Sequence, residues 1–371
     1  MKDNVDSKVS LFQTKKWALY FSCLIFSIGA LSRDIRLHNV LLNGGIKEFN
    51  ASNLLCGQLT RCTRVGGELL GLGVQDFFYF FAQLFHGNPL WQNFYLTDKQ
   101  YFSIFSGFSS IAFRFICLLP IILYFNKLFK ENINAKIFSI LAFTSIFSGF
   151  PLYYLNNLFG IYLVNYDYMV IFVMGLFINF CNQILKSNIL LFFFTIVCTI
   201  TIENLPLLLL FSIYFLDKKI FNRIKLLILT SVTSLVSYVI LLLGVTFRNG
   251  NISEMESDGR HFSFNLPRLP EIFGAIFIII IWSFVLGYLV GILGFRNFSI
   301  NSLKSTLELI PTRNIQSIII GYLVSCFAGI FISVLTEFAR QLLFFQLAVF
   351  VFGLTVGIKR LTQFGGNKVN R

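Results

Sequence analysis

The chain has 371 residues, 56% of them apolar and 13% charged, and this balance excludes an ordinary soluble domain. Several runs of fifteen to twenty-five apolar residues carry no charge and match the roughly 30 Å hydrocarbon core of a bilayer. The formal charge of +13 would suggest nucleic acid for a soluble protein, but here it reads first as orientation, because Lys and Arg concentrate in cytoplasmic loops. The expected fold is all-α: a polytopic membrane helical bundle of about ten spans, forming a single integral membrane domain over residues 1–371, with no nucleic-acid partner.

Residues 1–16 form a short tail ending in Lys15-Lys16, and the first span covers 17–32. The same stretch also fits a secretory leader with Ala30-Leu31-Ser32 as its cleavage site. An outer loop, 33–101, follows. It opens with Ser32-Arg33-Asp34-Ile35-Arg36-Leu37-His38. On a helix Asp34 and His38 share a face, and the flanking Arg33 and Arg36 keep the carboxylate ionised, as a base or metal ligand must be. Two guanidinium groups there also suit a lipid-linked phosphate. An ordinary juxtamembrane ion-pair cluster fits the same residues.

Within this loop, 64–86 reads as an amphipathic helix. Arg64, Glu68, Gln75, Tyr79, Gln83 and His86 cluster on one side at helical periodicity, opposite Val65, Leu69, Leu72, Phe80 and Phe81. A charged stripe facing an aromatic one predicts a helix lying in the membrane interface. Cys56 and Cys62 lie nearby, and an oxidising compartment permits a disulfide between them. No zinc-type Cys/His spacing appears.

The remaining spans, over 102–358, are 102–125, 137–155, 168–185, 188–203, 205–216, 223–246, 271–295, 315–335 and 342–358, followed by a tail at 359–371. Placing the N-terminus inside puts nineteen of the thirty Lys and Arg residues on the cytoplasmic side and twelve of the seventeen acids outside. Both termini are therefore expected to be cytoplasmic. No pair of broken helices recurs in the two halves, as it does in many secondary transporters.

Charge near hydrocarbon is costly, so ionisable groups at or inside spans are functional candidates. Arg114 lies inside the second span, where insertion costs about 2.5–3.5 kcal/mol; a structural salt bridge and a ligand contact both explain it. Asp167 precedes the fourth span, Glu203 closes the fifth and Glu337 follows the ninth, all on the outer side. Each also fits an acid that marks where a helix leaves the membrane. Glu337 and Arg340 are three apart, so they pair with each other or place Arg340 against an anionic donor. The stretch from Pro151 through Asn156-Asn157 to Tyr166-Asp167-Tyr168 suggests irregular backbone lining a cavity, or an aromatic belt.

An acid just past the first span, a long outer loop with a juxtamembrane helix, and many following spans together resemble the GT-C superfamily of membrane glycosyltransferases. The resemblance covers the whole chain in layout and the Asp34 region at residue level. It implies transfer of a sugar from a polyprenyl-phosphate donor to a glycan or glycolipid acceptor on the extracytoplasmic face, in a bacterial inner membrane, with membrane lipids as further partners. Asp34 would be the base for the acceptor hydroxyl. Cationic groups for the leaving phosphate would come from Arg33, Arg36, Arg114 or Arg340. The cofactor stays open, a divalent cation being one option, and no metal ligands are assigned. The usual pair of adjacent acids is here Arg33-Asp34, and ten spans is few for the superfamily. A polysaccharide polymerase or ligase, and a transporter of a lipid-linked saccharide or small molecule, are the alternatives.

Overall fold

The computed structural model describes residues 65–86, 98–128, 165–201, 205–214, 222–249, 269–296, 298–310 and 335–369, with isolated pieces between 312 and 320. The expected first and third spans, nearly all of the ninth, Cys56 and Cys62 lie outside the described residues. Those described are helical, with no strand among them. In chain order the helices are α1 (Val65–His86), α2 (Asp98–Leu128), α3 (Asn165–Lys186), α4 (Asn188–Thr201), α5 (Leu205–Tyr214), α6 (Arg223–Asn249), α7 (Leu269–Phe295), α8 (Ile300–Leu309) and α9 (Leu335–Val369). Among the described residues, three stretches are long and apolar enough to cross a membrane: Gly107–Leu128, Tyr168–Lys186 and Arg223–Leu241.

Polar residues set several helix starts. Ser187 accepts from Leu190 N–H at the head of α4, Asn222 from Lys225 N–H at the head of α6, and Ser299 from Ser302 N–H at the head of α8. Each satisfies an amide that the first turn leaves unpaired. The core lies where α2, α3, α4, α7 and α9 meet, around Ile122, Phe125, Val170, Leu191, Phe350 and Leu354.

Two helix pairs run parallel. In α2 and α3, Phe113 packs on Tyr168, while a Cβ on Gly175 would touch Pro120 and Ile121, so residue numbers rise together along the pair. In α7 and α9, a Cβ on Gly287 would lie 2.1 Å from the Phe350 carbonyl oxygen and one on Gly291 2.6 Å from that of Leu354. Gly353 and Gly357 meet the carbonyls of Phe284 and Tyr288 in the same way, at 2.3 and 2.6 Å. Only glycine permits this approach, and small residues four apart are how helices close on one another in lipid. A parallel pair requires the chain to return to its starting end between the two helices.

The α2–α3 pair carries two coupled irregularities. Pro120 lacks the N–H that would bond to the preceding turn. Opposite it, α3 leaves helical geometry at Phe180 (φ −121°, ψ 15°). Asn179, the residue before that break, donates its amide to both the Pro120 and the Gly175 carbonyls.

The described parts of α4 and α5 have 14 and 10 residues, about 21 and 15 Å at 1.5 Å per residue. α4 doubles back along α3, with Phe177 stacked on Phe194. α6 runs beside α4 with Thr199 facing Ser234, and its buried residues Leu226, Thr230 and Thr233 are confined to the half that α4 covers. Its other face, including Ile224, Ile228, Leu235 and Ile240, is exposed apolar surface suited to lipid.

The helix expected over 64–86 forms as α1, but it does not lie across the bundle. The Tyr101 hydroxyl donates to the Ala82 carbonyl at 2.7 Å, so α1 runs antiparallel to α2 from that point. About four turns back along α1, Gly66 abuts Ile200 and Thr201 of α4. Tracing residues along α1 puts Gly66 level with Cys117 of α2, and tracing through α4 and α3 puts it level with Phe115 or Ile116. The two routes agree within two residues. Gly66 therefore reaches about halfway down the Gly107–Leu128 span, roughly 15 Å from its start.

The buried face differs too. Gly66, Leu70, Val74, Phe78 and Ala82 form an i+4 stripe turned toward the bundle, whereas Leu69, Phe80 and Phe81 of the expected apolar side face outward. Small residues allow close approach to α2 and α4, and the bulky aromatics are left for the surroundings.

Candidate functional site around Arg114

Arg114 is 1% exposed and is the largest fully buried side chain among the described residues. Helix α2 holds it about 10 Å below the start of its apolar stretch. Its guanidinium carbon lies 5.0 Å from the centre of the Tyr168 ring, and Nη1 donates to the Ser110 carbonyl at 3.2 Å, one turn earlier on the same helix. Tyr168 is itself 1% exposed and packs edge-on against Phe113. A cation held against a ring face inside a bundle gains from the ring quadrupole, and this offsets part of its desolvation.

Gly66 of α1 meets Ile200 and Thr201 of α4 a little deeper than Arg114. Thr201 is fully buried and donates to the Val197 carbonyl at 2.6 Å. Register along the helices also places the backbone of Glu68 in α1 and of Asp167 in α3 within about one turn of Arg114.

Among the residues expected to form a site, Arg114 and Asp167 come together: Asp167 immediately precedes the tyrosine on which Arg114 stacks. Asp34, Arg33, Arg36, His38 and Glu203 lie outside the described residues. Glu203 was expected at the outer side, at the end of a complete span. The described part of the helix before it reaches Thr201, level with the middle of α2. Glu337 and Arg340 both lie on α9, three residues apart and so on one face of the helix as expected. The α7–α9 register puts Glu337 near the first turn of α7, about ten residues before the Ser283 turn.

Sequence reasoning missed Tyr168 as the ring beneath Arg114, and it missed the contact of α1 with α4 at mid-depth. It also passed over Gln346, 0% exposed, and Tyr124, 4% exposed, which are buried polar side chains in spans. No three His, Cys, Asp or Glu residues converge as a metal site among the described residues. Cys117, Cys181 and Cys198 are buried free thiols that pack as small apolar groups.

No family model, curated protein or solved structure matches the chain.

Proposed function

We propose that the chain is a membrane glycosyltransferase that uses a polyprenyl-phosphate sugar on the extracytoplasmic face, with Asp34 as the general base. Arg114 carries this reading: a buried guanidinium, held flat by Tyr168 in the outer half of a span, beside a helix that descends from the long first loop. A guanidinium has five N–H donors and can serve a phosphate alongside its protein partners. Asp34 takes the acceptor proton, and Arg114 stabilises charge on the departing lipid phosphate. The remaining candidates for substrate contacts are Arg33, Arg36, His38, Asp167, Glu203, Glu337 and Arg340.

The proposed topology has ten spans with both termini cytoplasmic, in a bacterial inner membrane. Its support is the two parallel pairs, α2 with α3 and α7 with α9. Each needs one return of the chain, where the expected third span (137–155) and ninth span (315–335) fall.

A transporter of a lipid-linked saccharide or small molecule is the second reading. The contact of α1 with α4 at mid-depth, beside the buried Arg114, favours it, since many carriers hold their substrates near the bilayer midplane. The test is transfer from labelled polyprenyl-phosphate sugars in membranes carrying wild type or Asp34→Asn. Transfer lost in a normally folded mutant supports the enzyme. Equal transfer in both removes Asp34 as the base, and uptake without transfer supports the carrier.

A further inference from the structure

The α7–α9 seam changes character one turn above its glycines. Gly291 faces Leu354 and Gly287 faces Phe350; the next step of four residues sets Ser283 opposite Gln346. Ser283 and Gln346 are both 0% exposed. Gln346 shares the α9 face of Gly353 and Gly357, yet it inserts a long amide where the other two positions have no side chain.

Neither Nε2 nor Oε1 of Gln346 has a hydrogen-bond partner, and neither does the Tyr124 hydroxyl. Phe125 packs edge-to-face on Phe350, with ring centres 6.1 Å apart, which brings the α2 turn bearing Tyr124 to the α9 turn just past Gln346. Several other buried hydroxyls are satisfied by their own helices, as Thr355 donates to Val351, Thr195 to Leu191 and Thr199 to Thr195, although Thr230 on α6 also lacks a partner. Gln346 and Tyr124 together leave three polar atoms unpaired at this seam.

Their chemistry specifies a complement. An amide and a phenol supply donors and acceptors without formal charge. Residues 116–126, 280–291 and 342–356 contain no Asp, Glu, Lys or Arg. An ion would be poorly served there, whereas a hydroxyl group donates and accepts at once. Water and a sugar hydroxyl share that chemistry.

We propose that the seam between the α7–α9 pair and α2, marked by Gln346 and Tyr124, binds the neutral, hydroxyl-bearing part of a saccharide. The site lies deeper than Arg114 and stands whether the chain transfers sugars or carries them. Its test uses the full chain in a sugar-free amine-oxide detergent, as wild type, Gln346→Leu and Tyr124→Phe. Thermal midpoints are read with and without a panel of methyl hexosides, and radiolytic hydroxyl labelling of Tyr124 is followed in parallel.

At least one hexoside is expected to raise the wild-type midpoint by several degrees and to protect Tyr124 from labelling. Without sugar, both variants should melt at or above the wild-type temperature, because each loses only an unpaired polar atom. They should also lose the sugar-induced rise. An equal rise in all three proteins overturns the proposal. So does strong labelling of Tyr124 that no hexoside alters, which would mean that the seam holds water alone.

Discussion

Arg114 lies over the Tyr168 ring, and both side chains are buried. The guanidinium is buried, so the ring beneath it matters more than it would at a surface. We expect Tyr168→Leu to cost about 2 kcal/mol of stability, read as a lower denaturation midpoint in detergent. Tyr168→Phe keeps the ring face and should stay within about 1 kcal/mol of wild type. Equal losses in both variants would show that the hydroxyl, not the ring, supports Arg114. The sequence exposed Arg114 because a charge inside an apolar run contrasts with everything around it. It concealed Tyr168, because a tyrosine at a span end reads as part of an aromatic belt. Gln346 and Tyr124 were silent for a related reason: one uncharged polar group barely lowers the hydropathy of a span, and its burial depends on neighbours distant in sequence.

Among the elements, the α7–α9 pair gives the sharpest expectation. Gly287→Ala and Gly353→Ala each drive a methyl group into a partner carbonyl, at 2.1 and 2.3 Å, and should destabilise by about 1–3 kcal/mol. Gly73→Ala meets nothing within 4 Å and removes a poor helix former, so it should be neutral or gain up to about 1 kcal/mol. Thermal midpoints of the three variants check this ordering, and a loss in Gly73→Ala matching the other two would refute the packing account. Helix α1 shows the limit of pattern reading. Its existence over nearly the expected residues was legible, but periodicity ranks faces by hydropathy, whereas the face that packs is the slim one from Gly66 to Ala82. If α1 stands along α2, a cysteine at Gln83 reacts with a membrane-impermeant maleimide and one at Leu70 does not. Comparable labelling at both positions would return α1 to the interface plane.

For the whole molecule, the all-helical character and the apolar spans followed directly from composition, while the arrangement of helices did not. Parallel pairing of α2 with α3 and of α7 with α9 comes from contacts between residues tens of positions apart, and no local signal encodes it. That arrangement brings a helix of the first loop to the depth of Arg114, and the proposed chemistry depends on this convergence. The most direct measurement is the initial rate of sugar transfer against the concentration of a polyprenyl-phosphate sugar, for wild type and for Arg114→Lys matched in thermal midpoint. The account predicts transfer by the wild type and a donor KM raised about tenfold in the variant, because lysine replaces bidentate phosphate binding with a point charge. The acceptor KM should not change. Identical donor curves, or no transfer by the wild type across a broad donor and acceptor panel, would contradict it.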